Sequence, residues 1–145
     1  MQVDPRGQRF AATLTTAVLI AVLVTESGVL LAAQAAVFAI AILFGLRYAP
    51  YGLVYSVLIR PRLGPPRELE DEAPPRFAQG VGLAFALVGT AGYATGLTWL
   101  GIGATAFALG AAFLNAVFGF CLGCEMYLII RRITAKIRSE REVPA

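Results

Sequence analysis

An all-α membrane bundle is the fold class the sequence predicts, on three observations. Four long apolar stretches cover most of the 145 residues, each near the length a helix needs to cross a hydrocarbon core of ~30 Å. Only 14% of the residues are charged, against about a quarter in soluble domains. All twelve Lys and Arg fall in three segments, the N-terminus, a central stretch from Arg47 to Arg76 and a tail from Arg131. A chain of this size holds a single integral membrane domain, 1–145, and has no room for a separate soluble one. The formal charge of +3 does not point to nucleic acid, because the arginines flank apolar runs, as charge at a membrane interface does. There is no histidine, which excludes a His-ligated metal site and a His general base.

Asp4-Pro5 is a helix-start signal, an N-cap carboxylate followed by the residue suited to the first helical position. The first span is expected at about 8–25, with Arg6 and Arg9 snorkelling to the surface. A basic start before an apolar run also resembles a signal peptide. No convincing small-x-small cleavage site follows, and a second apolar run begins at Val29, so the segment is read as an uncleaved span. Glu26-Ser27-Gly28 turns the chain into the second span, 29–46. Arg47-Tyr48-Ala49-Pro50 then breaks the helix. Residues 51–59 are apolar but too short to span, and read as an interfacial helix with Tyr48, Tyr51 and Tyr55 at headgroup level. A polar, proline-rich cytoplasmic loop is expected at 60–75; its acidic cluster Glu68, Glu70, Asp71 and Glu72 is read as solvated rather than metal-binding. The third span, 76–95, leads through Gly96-Leu97-Thr98 into the fourth, 99–120, which Trp99 anchors at the interface. A second short interfacial helix at 126–130 and a basic tail, 131–145, close the chain.

Four spans put the three basic segments on one side, and the positive-inside rule makes that side cytoplasmic, with both termini there. The setting expected is the bacterial inner membrane. An internal echo accompanies this topology. Arg9-Phe10-Ala11 recurs as Arg76-Phe77-Ala78, and Phe44-Gly45 recurs as Phe118-Gly119. The chain therefore reads as two parallel hairpin repeats about a pseudo-two-fold axis along the membrane normal. Gly92-x-x-x-Gly96 and Gly119-x-x-x-Gly123 suit close helix packing, within the chain in preference to a homodimer. Asn115, polar within a span, is expected to face the bundle interior.

The chemistry-bearing stretch is 118–127. It holds the only two cysteines, Cys121 and Cys124, and Glu125, the one acidic residue between Glu72 and Glu140. Three residues apart on a helix, the two sulfurs share a face. A helix starting there would stabilise a thiolate with its N-terminal N–H groups. Arg47, the counterpart of Cys121 in the repeat, is a candidate to do the same. Glu125 would oppose it or accept its proton. Four readings stay open: a redox-active or sulfur-carrying dithiol that exchanges with a soluble partner, half of a zinc site completed in a dimer, two small thiols that merely pack in a scaffold without chemistry, and a way-station in a transporter of a small sulfur-containing solute. The dithiol is preferred, with no cofactor and no bound metal. A purely stabilising disulfide is disfavoured on a cytoplasmic face, where thiols stay reduced.

Beyond these features, Asp4-Pro5-Arg6 with Arg9-Phe10, Arg60-Pro61-Arg62-Leu63-Gly64-Pro65-Pro66, Glu70-Asp71, Pro74-Pro75-Arg76-Phe77-Ala78-Gln79, Phe113-Leu114-Asn115-Ala116, and Phe120-Cys121-Leu122-Gly123-Cys124-Glu125 resemble a bacterial membrane family, domain of unknown function 4395. The resemblance spans nearly the whole chain and is most specific at the CLGCE stretch. It implies four spans, and members that occur beside, or fused to, thioredoxin-like or thiosulfate sulfurtransferase proteins. Such a protein is accordingly the partner expected. On architecture alone the chain is also similar to four-span quinone- or thiol-linked membrane proteins such as the DoxX-like group.

Overall fold

A computed structural model of the chain describes residues 2–142. Four long helices make the body: α1 (Pro5–Thr25), α2 (Gly28–Phe44), α5 (Ala73–Ala94) and α6 (Thr98–Phe118). Three of them, α1, α5 and α6, are long and apolar enough to cross a membrane; α2, also apolar, has 17 residues. Between α2 and α5 lie a 3-10 turn, Leu46–Tyr48, then α3 (Pro50–Val54), a π turn, Tyr55–Ile59, and α4 (Arg60–Leu63). The chain ends in α7 (Leu122–Glu142). The all-α class is as expected, with one addition: Gln2–Val3 (β1) pairs antiparallel with Glu70–Asp71 (β2), tying the N-terminus to the central loop.

Local chemistry sets the boundaries. Asp4 caps α1 by accepting the Arg6 N–H at 2.9 Å, and Pro5 occupies the first helical position, where its missing donor costs nothing. Ser27 caps α2 through the Leu30 N–H. The second helix stops at Phe44, two residues earlier than expected, because Gly45 adopts φ 102°. The third starts at Ala73, three residues earlier, because Pro74 and Pro75 fit its first turn. The expected loop at 60–75 is narrower than it reads, since the helix carries on through Arg60–Leu63. Pro61 sits in that helix without a donor of its own, and the adjoining π turn, with Arg60 N–H bonded to the Tyr55 carbonyl, widens the ladder to accommodate it. The tail differs most. Instead of a short helix and a basic extension, α7 runs unbroken for 21 residues, with Met126, Ile129, Ile130, Ile133 and Ile137 at helical spacing along one exposed stripe.

In the first hairpin the consecutive helices are not the main partners. The α1 helix packs chiefly on α6, and α2 on α5; α5 and α6 also pack closely, whereas α1 and α2 touch far less. One apolar cluster joins Leu19 and Val22 of α1, Leu31, Ala35 and Phe38 of α2, Ala86 of α5 and Ala108 of α6. Small residues admit the large ones. A Cβ on Gly89 would stand 2.6 Å from the Leu31 side chain, and one on Gly92 2.6 Å from the Gly101 nitrogen. Close backbone approach of this kind is what small residues at helix interfaces permit.

Both tight turns lie at one end of the bundle, where Gly28 meets Tyr93. The N-terminus, the central segment and the start of α7 gather at the other. Two arginines bind that end across the bundle. Arg9, on α1, donates to the carbonyls of Ala116 and Val117 at the end of α6. Arg76, on α5, donates to the carbonyls of Ile42 and Leu43 at the end of α2. Each satisfies carbonyls left without an intrahelical partner and faces the negative end of a helix dipole. The neighbouring aromatics match as well: Phe10 meets Tyr55 at 5.8 Å and Phe77 meets Tyr127 at 5.7 Å between ring centroids.

Two sequence expectations change at this end. Tyr48 is exposed, but Tyr51 and Tyr55 turn inward, to Gln34 Oε1 at 2.7 Å and Asp4 Oδ2 at 2.9 Å. A phenol among apolar side chains needs a hydrogen-bond acceptor; Gln34, buried in α2, and Asp4, at the start of α1, supply them. The acidic cluster is not wholly solvated: Glu72 is buried and its Oε1 accepts the Leu46 N–H at 2.8 Å.

Candidate functional site

The site forms where α6 gives way to α7. Gly119, at φ 68°, ends α6, and the N–H groups of Gly119 and Phe120 satisfy the carbonyls of Asn115 and Leu114. This left-handed residue costs a glycine nothing. The chain then re-enters a helix at Leu122, with Cys121 just ahead of it. Cys121 and Cys124 are joined in a disulfide, their Cα atoms 5.2 Å apart. The Cys121 sulfur also accepts the Cys124 N–H at 3.2 Å, and its carbonyl accepts the Glu125 N–H at 3.0 Å. Cys121 is thus placed as an N-cap, its sulfur held against the positive end of α7. Gly123 lies between the cysteines because nothing larger fits: a Cβ there would come 2.6 Å from the Ala78 Cα of α5.

Both cysteines are half-buried and line a cleft of about 330 Å³. Glu125 lines it too, as do Gln8 and Arg9 of α1, Glu70 and Asp71 of β2, and Asn115 of α6. The structure therefore brings three of the four expected site residues, Cys121, Cys124 and Glu125, to one opening. Arg47 is not among its lining residues. It lines a second cavity of about 450 Å³ with Tyr48, Tyr51, Tyr55 and Arg60, and its guanidinium lies over the Tyr48 ring at 5.6 Å. The cation at the cysteine cleft is Arg9. Sequence reading assigned Arg9 to snorkelling; its recurrence as Arg76 was the one signal of a further role. Gln8 carried no signal, yet it lines both cavities, and its amide nitrogen is buried with no hydrogen-bond partner among the described residues.

Three groups whose acidity the fold shifts, Asp4, Tyr51 and Tyr55, line the second cavity. Burial pushes the Asp4 carboxyl up, but the hydrogen bonds from the Arg6 side chain, the Arg6 backbone and Tyr55 together outweigh it and hold the carboxyl below its ordinary value. Burial, then the Asp4 carboxylate, raises the Tyr55 phenol above its ordinary value, and burial alone raises Tyr51.

Fold and site together define a class: an apolar helical bundle with a disulfide opening on a cleft at its polar end. The chain belongs to the family described as Domain of unknown function (DUF4395), whose match covers residues 3–132 and so includes all four long helices and both cysteines. No curated protein and no solved structure matches it.

Proposed function

We propose that the protein is a four-span integral protein of the bacterial inner membrane and that Cys121 and Cys124 are its working dithiol, serving a thioredoxin-like or sulfurtransferase partner at the cytoplasmic face. The observation that carries this reading is the bonded cysteine pair at the first turn of α7, half-exposed on a cleft among the basic segments. Gathering of those segments at one end supports cytoplasmic termini through the positive-inside rule. The crossed pairs α1–α6 and α2–α5, with their matching arginines and aromatic contacts, support two parallel hairpin repeats about an axis along the membrane normal. In the second repeat the counterpart of the 50–63 helix is α7.

The chemistry is disulfide exchange. A partner thiolate attacks one sulfur in line with the S–S bond, the bond breaks, and the other cysteine leaves as a thiolate that takes up a proton. A second partner thiol resolves the mixed disulfide, so two electrons and two protons pass to the pair. Reduced, the pair runs the reverse reaction, or takes the outer sulfur of a partner persulfide. One cysteine then carries that sulfur until the other attacks, restoring the disulfide and releasing hydrosulfide. Cys121 is the better leaving thiolate, because the Cys124 N–H and the helix terminus already face its sulfur.

Thiol labelling in intact membranes tests this. Cys121 and Cys124 are expected to label from the cytoplasmic side after reduction and to be protected after oxidant. Each single change, Cys121→Ser or Cys124→Ser, should leave the remaining thiol labelled under both conditions. If neither cysteine labels from the cytoplasm after reduction, the proposed exchange is wrong.

A further inference from the structure

We infer that the cysteine cleft selects thiols carried beside positive charge, so that its partner presents a cationic peptide segment around the reacting cysteine. The inference rests on the exchange reading above and adds the recognition chemistry. Three carboxylates line the cleft with the sulfurs: Glu70 and Asp71 from β2 and Glu125 from the first turn of α7. All three are exposed, and none is in an ion pair among the described residues. Against them stands one cation, Arg9. Its Nη2 is directed to the Ala116 and Val117 carbonyls at 3.3 and 3.2 Å, at the negative end of α6, and the three carboxylates outnumber it in the lining. The surrounding segments are basic, which makes the cleft an acidic recess in a positive face. An attacking thiolate brings negative charge towards three carboxylates. A bare thiolate is repelled, and one with an ammonium or guanidinium close by is not.

The test uses three small thiols of similar size on the full chain in nanodiscs of uncharged phosphatidylcholine: cysteamine, 2-mercaptoethanol and 3-mercaptopropionate. The rate of disulfide opening is read by alkylation and mass shift, and corrected for the thiolate fraction of each reagent. Cysteamine is expected to react fastest and mercaptopropionate slowest, with roughly a tenfold spread at low salt. In about 1 M salt, where the screening length is ~3 Å, the spread should collapse. The variant Glu70→Gln, Asp71→Asn, Glu125→Gln should collapse it at low salt too, while Glu125→Asp alone keeps it. Salt dependence is read on the unaltered chain, so the outcome does not hang on the triple variant folding. Opening by all three thiols at equal corrected rates, or an order insensitive to salt, overturns the charge selection and leaves the exchange reading standing. A disulfide that none of the three opens overturns the exchange reading itself.

Discussion

Asp4 joins α1 to the central segment. It caps α1, pairs with Arg6 at 3.0 Å and accepts the Tyr55 hydroxyl. Asp4→Ala should cost about 1–2 kcal/mol, the upper part of the range for a lost N-cap, seen as a lower thermal midpoint. The pH dependence has two limbs. Asp4 is depressed below 3.8, so its stabilisation is complete above that pH and is lost as the pH falls through the folded value. Tyr55 is raised above 10.0, so its stabilisation is complete below that pH and is lost as the pH rises through the folded value. Midpoints measured across pH should fall at both extremes, with Asp4→Asn flattening the acid limb and Tyr55→Phe the alkaline one. The cap at Asp4 was legible because Asp-Pro before an apolar run is a local signal. Its bond to Tyr55, 51 residues away, was not, and neither was the burial of Glu72 against Leu46. The cysteine pair was legible by spacing; Gln8 and Arg9 joined it only through the crossing of α1 and α6.

Helix α7 is the element that the sequence described least well. Its charged second half reads as tail, yet isoleucines at i, i+4 and i+8 (Ile129, Ile133, Ile137) give it a continuous apolar stripe, and that periodicity outweighs the local charge. Its seat on α5 depends on Gly123. Gly123→Ala puts a Cβ against both the Cβ and the Cα of Ala78, so α7 must shift. We expect a cost of about 1–3 kcal/mol, typical of overpacking, and weaker packing of Phe77 on Tyr127. Adding Ala78→Gly should recover only part of it, because the Cα itself stands 2.6 Å away; thermal midpoints of the two single variants and the double give the answer. The four long helices were placed within a few residues, since apolar length and the Pro and Gly signals are local. The π turn was not foreseen, because its cause, Pro61 inside a continuing helix, read instead as a loop.

At the scale of the molecule the crossed arginines hold the two hairpins together. Arg9→Gln and Arg76→Gln should each cost about 1.5–3 kcal/mol, the range for hydrogen bonds from a charged donor. The two share no partner, so the double variant should be additive within about 0.5 kcal/mol. Thermal unfolding in detergent or nanodiscs reads both. The echo Arg9-Phe10-Ala11 and Arg76-Phe77-Ala78 foreshadowed equivalent roles for the two arginines, but not that each reaches the opposite hairpin, since no local pattern encodes which helices become neighbours.

That crossing dictates an order of events during synthesis. Arg9 leaves the ribosome 107 residues before Ala116, a wait of roughly 5–20 s at 5–20 residues per second. The first hairpin meanwhile has two helices that pack on each other only lightly and lacks Ala86 of α5 and Ala108 of α6, which complete its apolar cluster. A nascent chain halted after α2 should therefore be prey to proteases. Cutting the gene at Gly64 tests this: fragments 1–64 and 65–145 made separately should decay quickly in a pulse-chase, and made together they should persist as a pair. Equal lifetimes alone and together would show that each hairpin is stable without the other.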